Sequence, residues 1–184
     1  MDVREISRNE IEEKIKSMGD YVMMGYLSSC LKKSLDFNAR KFVLIKLTGL
    51  YESGRMFLDA GKMMNAAADI NTTFQGKITD FVKAVELFIK AEDYELADSV
   101  MKKALAIGNE NQKKEVRESV KEFYKTRARF YIDNRKKNHA TKAYEKLLML
   151  DLSEDEKLDI RRKLLGIYES LGRIREYNSL KRSI

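Results

Sequence analysis

The 184-residue sequence has no proline, one cysteine, one histidine and only nine glycines. A β-sandwich or barrel needs many tight turns, usually rich in Gly and Pro, so the shortage of both argues against those folds. It suits helices joined by short connections. What fills the sequence instead is Ala, Leu, Lys, Glu, Met and Arg, all good helix formers. A lone cysteine cannot form an internal disulfide, which excludes a disulfide-stabilised secreted fold. Cys30 lies in an apolar helical stretch and reads as a small buried hydrophobe. No run of ~18 apolar residues is present to span a bilayer, and Met1-Asp2-Val3-Arg4-Glu5 carries no apolar leader core. A cytoplasmic protein is the expectation.

The same scarcities limit catalysis. A Ser–His–Asp or Cys–His site would have to use His139, which sits in the polar stretch Lys136-Lys137-Asn138-His139 and reads as a solvent-facing turn residue. One His and one Cys do not make a zinc site of the usual composition. With no strand in view there is no strand-to-helix phosphate loop, and paired acids such as Glu12-Glu13 sit on polar helix faces where ion pairing is their ordinary use. The expectation is a non-enzymatic protein without cofactor or metal.

What is present is globular. Hydrophobic residues make up 43% and charged ones 35%, too apolar a mix for disorder, in a chain long enough for one domain with a continuous core. The net charge of +7 is unevenly placed: from Lys113 to Lys142, eleven Lys or Arg stand against Glu115, Glu118, Glu122 and Asp133. Such a field attracts acidic peptides, nucleic acid or anionic lipid; the plain alternative is a solvated pair of helix faces.

Internal repetition organises the rest. Lys46-Leu47-Thr48-Gly49-Leu50-Tyr51-Glu52-Ser53 matches Lys163-Leu164-Leu165-Gly166-Ile167-Tyr168-Glu169-Ser170, and Gly-Arg follows each, at Gly54-Arg55 and, one residue later, at Gly172-Arg173. A large residue recurs at Ile15, Tyr51, Phe88, Tyr131 and Tyr168, at intervals of 36, 37, 43 and 37 residues. Small residues follow on the second helices at Ala60, Ala97 and Ala140, with Tyr177 at that place in the last unit. A small residue lets two helices approach closely, and large ones fill the groove that this leaves. The periodicity predicts ten helices, about 5–17, 20–35, 38–53, 56–70, 77–91, 93–107, 111–134, 137–150, 153–171 and 173–183. Ser153 with Glu156 forms a capping box, while Asn38 and Asp93 suit other N-caps. Polar connections fall at 71–76 and at Gly108-Asn109.

These residues resemble tetratricopeptide repeats, whose pattern asks for a large residue, Leu-Gly and Tyr on the first helix, then a small residue and an aromatic on the second. The terminal Pro is missing from every unit, and each unit exceeds the standard ~34 residues. The resemblance implies an all-α, right-handed α-solenoid of about five helix–turn–helix units, at 5–35, 38–70, 77–107, 111–150 and 153–184, in a single domain over 1–184. It implies that the first helices line a groove for a peptide or protein partner. Phe42, Ile45 and Gly49 of the second unit, Val82, Glu86 and Ile89 of the third, Lys125 and Arg129 of the fourth and Arg162 of the fifth would face it. The groove would be apolar in its middle and basic towards the last two units. Ile45, Gly49 and Val82 stand where some family members carry a carboxylate clamp, so that clamp is not reproduced. Lys125, Arg129 and Arg162 suit an acidic segment through charge-assisted hydrogen bonds, unless Lys125 pairs with Glu122 and Arg129 with Asp133. The expected role is a scaffold or adaptor. The alternatives are an RNA or other nucleic-acid binder using segment 113–142, and a homo-oligomeric structural element.

Overall fold

A computed structural model describes residues 4–182, and within them ten helices and no strand. These are α1 (Arg8–Ile15), α2 (Asp20–Cys30), α3 (Phe37–Ser53), α4 (Phe57–Ile70), α5 (Phe74–Lys90), α6 (Tyr94–Ile107), α7 (Glu110–Asp133), α8 (Lys137–Leu148), α9 (Glu154–Ser170) and α10 (Ile174–Lys181). All ten expected helices are present. The leader reading at Met1–Val3 and the expected end of the last helix at 183 lie outside the described residues.

Caps decide where the helices differ from expectation. Ser7 and Glu10 form a capping box, Ser7 Oγ accepting from the Glu10 N–H and Glu10 accepting from the Ser7 N–H, so α1 starts later than residue 5. The side chain that caps α3 is Asp36, accepting from the Ala39 N–H at 2.7 Å, and not Asn38. Thr73 accepts from the Gly76 N–H at 3.1 Å and Asn71 accepts from the Thr73 N–H, which turns half of the polar stretch 71–76 into the first turn of α5. Asp93 and Ser153 cap α6 and α9 as their positions suggest.

Four connections share one backbone geometry. After α3, α5, α7 and α9 a single residue takes the left-handed conformation: Arg55 (φ 57), Glu92 (φ 63), Arg135 (φ 58) and Gly172 (φ 68). The next N–H then reaches back to the recurring aromatic position: Met56 to Tyr51 O at 2.8 Å, Asp93 to Phe88 O at 3.0 Å, Lys136 to Tyr131 O at 2.8 Å and Arg173 to Tyr168 O at 2.9 Å. This is the Schellman closure of a helix C-terminus, which satisfies carbonyls the helix leaves open. It also explains the one-residue offset between the two Gly-Arg pairs. Gly54 ends its helix at φ −76 and leaves the strained place to Arg55, whereas Gly172 occupies that place itself.

A side chain in the left-handed region is disfavoured, and glycine is not. Arg55→Gly and Arg135→Gly are therefore expected each to raise stability by about 0.5–1 kcal/mol. Gly172→Ala, whose Cβ meets nothing within 4 Å, should lower it by about 1 kcal/mol through backbone strain alone. Urea melts of the three variants check the signs.

The chain divides into two compact units, 1–116 and 117–184, with the boundary inside α7. In the first, helices adjacent in sequence pack on one another from α2 to α6, and α1 packs on α3. Ile11, Ile15, Tyr26, Leu27 and Cys30 join Val43 and Leu47 in one core cluster, so Cys30 is buried as its setting suggests. In the second, α9 packs against α8 and α10, and the core includes Tyr124, Ala128, Tyr131, Ala140, Leu147, Ile160 and Leu164. Ala60, Ala97 and Ala140 are buried at matching places. Helix α10 has no buried residue, and Tyr177, at that place in the last hairpin, is half-buried.

Candidate functional site

In the first unit the side chains expected to face a partner divide. Ile45, on α3, is 46% exposed, and Gly49, one turn on, is exposed too. Phe42 is half-buried, with the cations of Arg8 and Lys46 over its ring at 5.2 and 5.8 Å. Val82 is half-buried. Ile89 is 1% exposed and belongs to the core, which corrects its placement in a groove. The reason is the width of the buried arc on α5, which packs against both α4 and α6 and buries Val85 one turn before Ile89.

Glu86 is not free for a partner either. It accepts from Lys83 at 3.0 Å and Lys90 at 2.6 Å, and the same two lysines reach Glu52 of α3 at 3.1 and 2.9 Å. The face between α3 and α5 is thus tied by four charges rather than apolar throughout. Burial works to raise the pKa of Glu52, but the bonds from Lys90 and Lys83 outweigh it and hold the carboxyl below its usual range. Burial works to lower the pKa of Lys90, and its bonds to Glu86 and Glu52 raise it on balance.

A carboxyl whose pKa is depressed by folding contributes stability above its unfolded value, ~4.3, and loses it as pH falls through the folded value. Glu52→Gln should cost about 1 kcal/mol at neutral pH. Its stability should also fall less steeply below pH ~5 than that of the wild type, as thermal melts across pH 3–7 would show.

The second unit builds a concavity between α7 and α9. Glu122, Lys125 and Arg129 of α7 form one wall; Glu156, Asp159 and Lys163 of α9 form the other. Tyr144 of α8 lines it as well, and its volume is about 150 Å³. Lys125 is clasped by Glu122 and Glu156, both at 3.0 Å. Burial works to lower the pKa of Lys125 and these bonds raise it on balance, while the bond from Lys125 holds Glu156 below its usual range. Lys163 pairs with Asp159. Among the described residues Arg129 has no such carboxylate, and the pairing with Asp133 suggested by helical spacing is not formed. A second, more open concavity of about 390 Å³ shares Tyr144 and Lys163 and continues past Ile132, Gly166 and Ile167.

Arg162 is exposed but lines neither concavity; Lys163 holds that place on α9. Helical spacing carries the signal that finds it, because Lys163 lies one turn after Asp159 and two after Glu156, on the wall that faces α7. Tyr144 reads from sequence as a packing residue. It is one, and its environment also raises its pKa, chiefly by burial.

Comparison with protein-family models and with curated proteins finds no match.

The charge of the chain is partitioned between the units. Residues 1–116 carry eighteen Lys or Arg and eighteen Asp or Glu; residues 117–184 carry eighteen and eleven, which is the whole excess of +7. Within the basic segment, Lys113 pairs with Glu110 and Lys121 with Glu118, while Arg135, Lys136 and Lys137 are exposed at the turn. Its aromatic faces are largely taken: Tyr124 and Tyr131 are buried, and Arg127 lies 4.8 Å over the ring of Phe130. His139 is on the first turn of α8, half-buried with its ring 5.2 Å from that of Tyr131, rather than at a solvent-facing turn. Among the described residues no group of three His, Cys, Asp or Glu is arranged to hold a metal ion, and no helix is long and apolar enough to cross a membrane.

Proposed function

We propose that this chain is a non-catalytic adaptor built from tetratricopeptide-like hairpins, a right-handed α-solenoid that binds a protein or peptide partner along its first helices. The observation that carries this reading is the recurrence of one Schellman turn in four hairpins, at the same distance from an aromatic residue before it, with a buried alanine at the same distance after it in the first three. A repeat held to one register presents equivalent faces of successive first helices, which is how solenoids build extended binding surfaces. The concavity between α7 and α9 offers such a face, with fixed charges and an apolar extension.

Binding of RNA or other nucleic acid is a second reading, favoured by the net +7 of the second unit. It is weakened by the burial of Tyr124 and Tyr131, because stacking on bases needs open ring faces. A pull-down from native lysate at low and high salt, with and without nuclease, separates the two. The adaptor reading expects a protein retained at high salt and insensitive to nuclease. Recovery of nucleic acid alone, lost at high salt, would overturn it, and self-association alone would point to a homo-oligomeric element.

A further inference from the structure

We infer that the groove between α7 and α9 takes an acidic amphipathic helix, whose carboxylate meets Arg129 while an apolar side chain one turn away fills the notch beside Ile132 and Gly166. This rests on the adaptor reading and names its partner by chemistry.

The cations that line the first concavity are not equivalent. Lys125 is committed to Glu122 and Glu156, and Lys163 to Asp159. Arg129 lines the same space without a carboxylate among the described residues. Arg129 is exposed, and its planar guanidinium, on a wall above the buried Tyr144 and Ile160, is suited to receive one carboxylate in a bidentate bond. The Tyr144 phenol lines the floor, and like any phenol it is protonated at neutral pH, a hydroxyl able to donate.

The walls also limit what kind of anion enters. Glu122, Glu156 and Asp159 surround the site, so the lining as a whole is neutral. A single carboxylate avoids those acids by engaging Arg129 alone. A run of phosphates would set further negative charge against them, and that opposes a nucleic-acid strand in this groove.

The apolar half of the site lies three residues further along α7, at Ile132, which is 39% exposed. Across from it on α9, a Cβ added to Gly166 would meet nothing within 4 Å, so another helix can come close there. Ile167 lines the same space. Three residues correspond to ~4.5 Å along a helix axis. That spacing matches side chains at i and i+3 or i+4 on a partner helix, so the motif is an acidic residue and a large apolar one on the same face, one turn apart.

The test uses the full chain and a fluorescein-labelled Ala/Gln-based helical peptide carrying Glu and Leu one turn apart, read by fluorescence anisotropy. Arg129→Gln is expected to weaken binding about tenfold, and replacing the peptide's Glu by Gln should weaken it equally. The two changes together should cost little more than either alone. Gly166→Leu should also weaken binding tenfold or more without lowering the melting temperature, because the added side chain projects into open space. Equal binding by wild type, Arg129→Gln and Gly166→Leu would overturn the inference, as would competition by oligouridylate that depends on Arg129. If the wild type retains a protein from lysate and both variants retain as much, this site is wrong while the adaptor reading stands. If the wild type retains none, the adaptor reading itself fails.

Discussion

Ala140→Leu is expected to destabilise the protein by roughly 1–3 kcal/mol, and Ala97→Leu by a similar amount. Both alanines are at most 1% exposed, and each lies nine residues after the aromatic that closes its hairpin turn, Tyr131 or Phe88. A leucine there forces two helices apart or drives its own side chain off rotamer, since the interior has no free volume to give. Lys142 and Glu95, two residues away on the same helices, are exposed. Their replacement by Leu should change stability by no more than about 0.5 kcal/mol. Denaturant melts of the four variants make the comparison. Equal effects at buried and exposed positions would mean that the register relating the hairpins is wrong.

Gly61→Ala is expected to destabilise, against the usual preference of a helix for alanine. In an open helical position the change would gain about 1 kcal/mol. Here a Cβ on Gly61 would lie 2.8 Å from two atoms of the Phe88 ring and 3.1 Å from a third. Phe88 is buried and its backbone carbonyl closes the turn after α5, so the ring has little freedom to yield. A contact under 3 Å places the overpacking in the upper part of the usual range, roughly 2–3 kcal/mol, which outweighs the helical gain, for a net loss of about 1–2 kcal/mol. Gly49→Ala is the control: it is also helical, its Cβ would meet nothing within 4 Å, and it should stabilise by about 0.5–1 kcal/mol. Opposite signs for the two substitutions in thermal melts are the expected result.

Helix number and hairpin register were legible because they depend on periodic burial and on a local turn. The large residue before each closure and the alanine after it carry that information with no knowledge of distant contacts. Helix ends were less legible where several polar residues compete to cap. Asp36 and Asn38 both suit an N-cap, and only the backbone decides that Asp36 is extended and bonded to Ala39. Side-chain direction at the candidate site was the least legible. Ile89 is drawn inside by a helix with neighbours on two sides, and Arg162 differs from Lys163 by one residue, a rotation of ~100° about the helix axis. The pairing of Lys125 with Glu122 follows helical spacing, but its second bond, to Glu156, joins residues 31 apart and depends on how α7 meets α9.

The claim that the second unit grips a protein partner is tested most directly by site-specific photo-crosslinking. A benzoylphenylalanine placed at Ile132 sits in the groove, and one placed at Lys142 sits on the exposed side of α8. Irradiation in native lysate should give a discrete protein adduct from position 132 and none from position 142. Equal adducts from both positions, or an adduct from position 132 that is nucleic acid rather than protein, would contradict it.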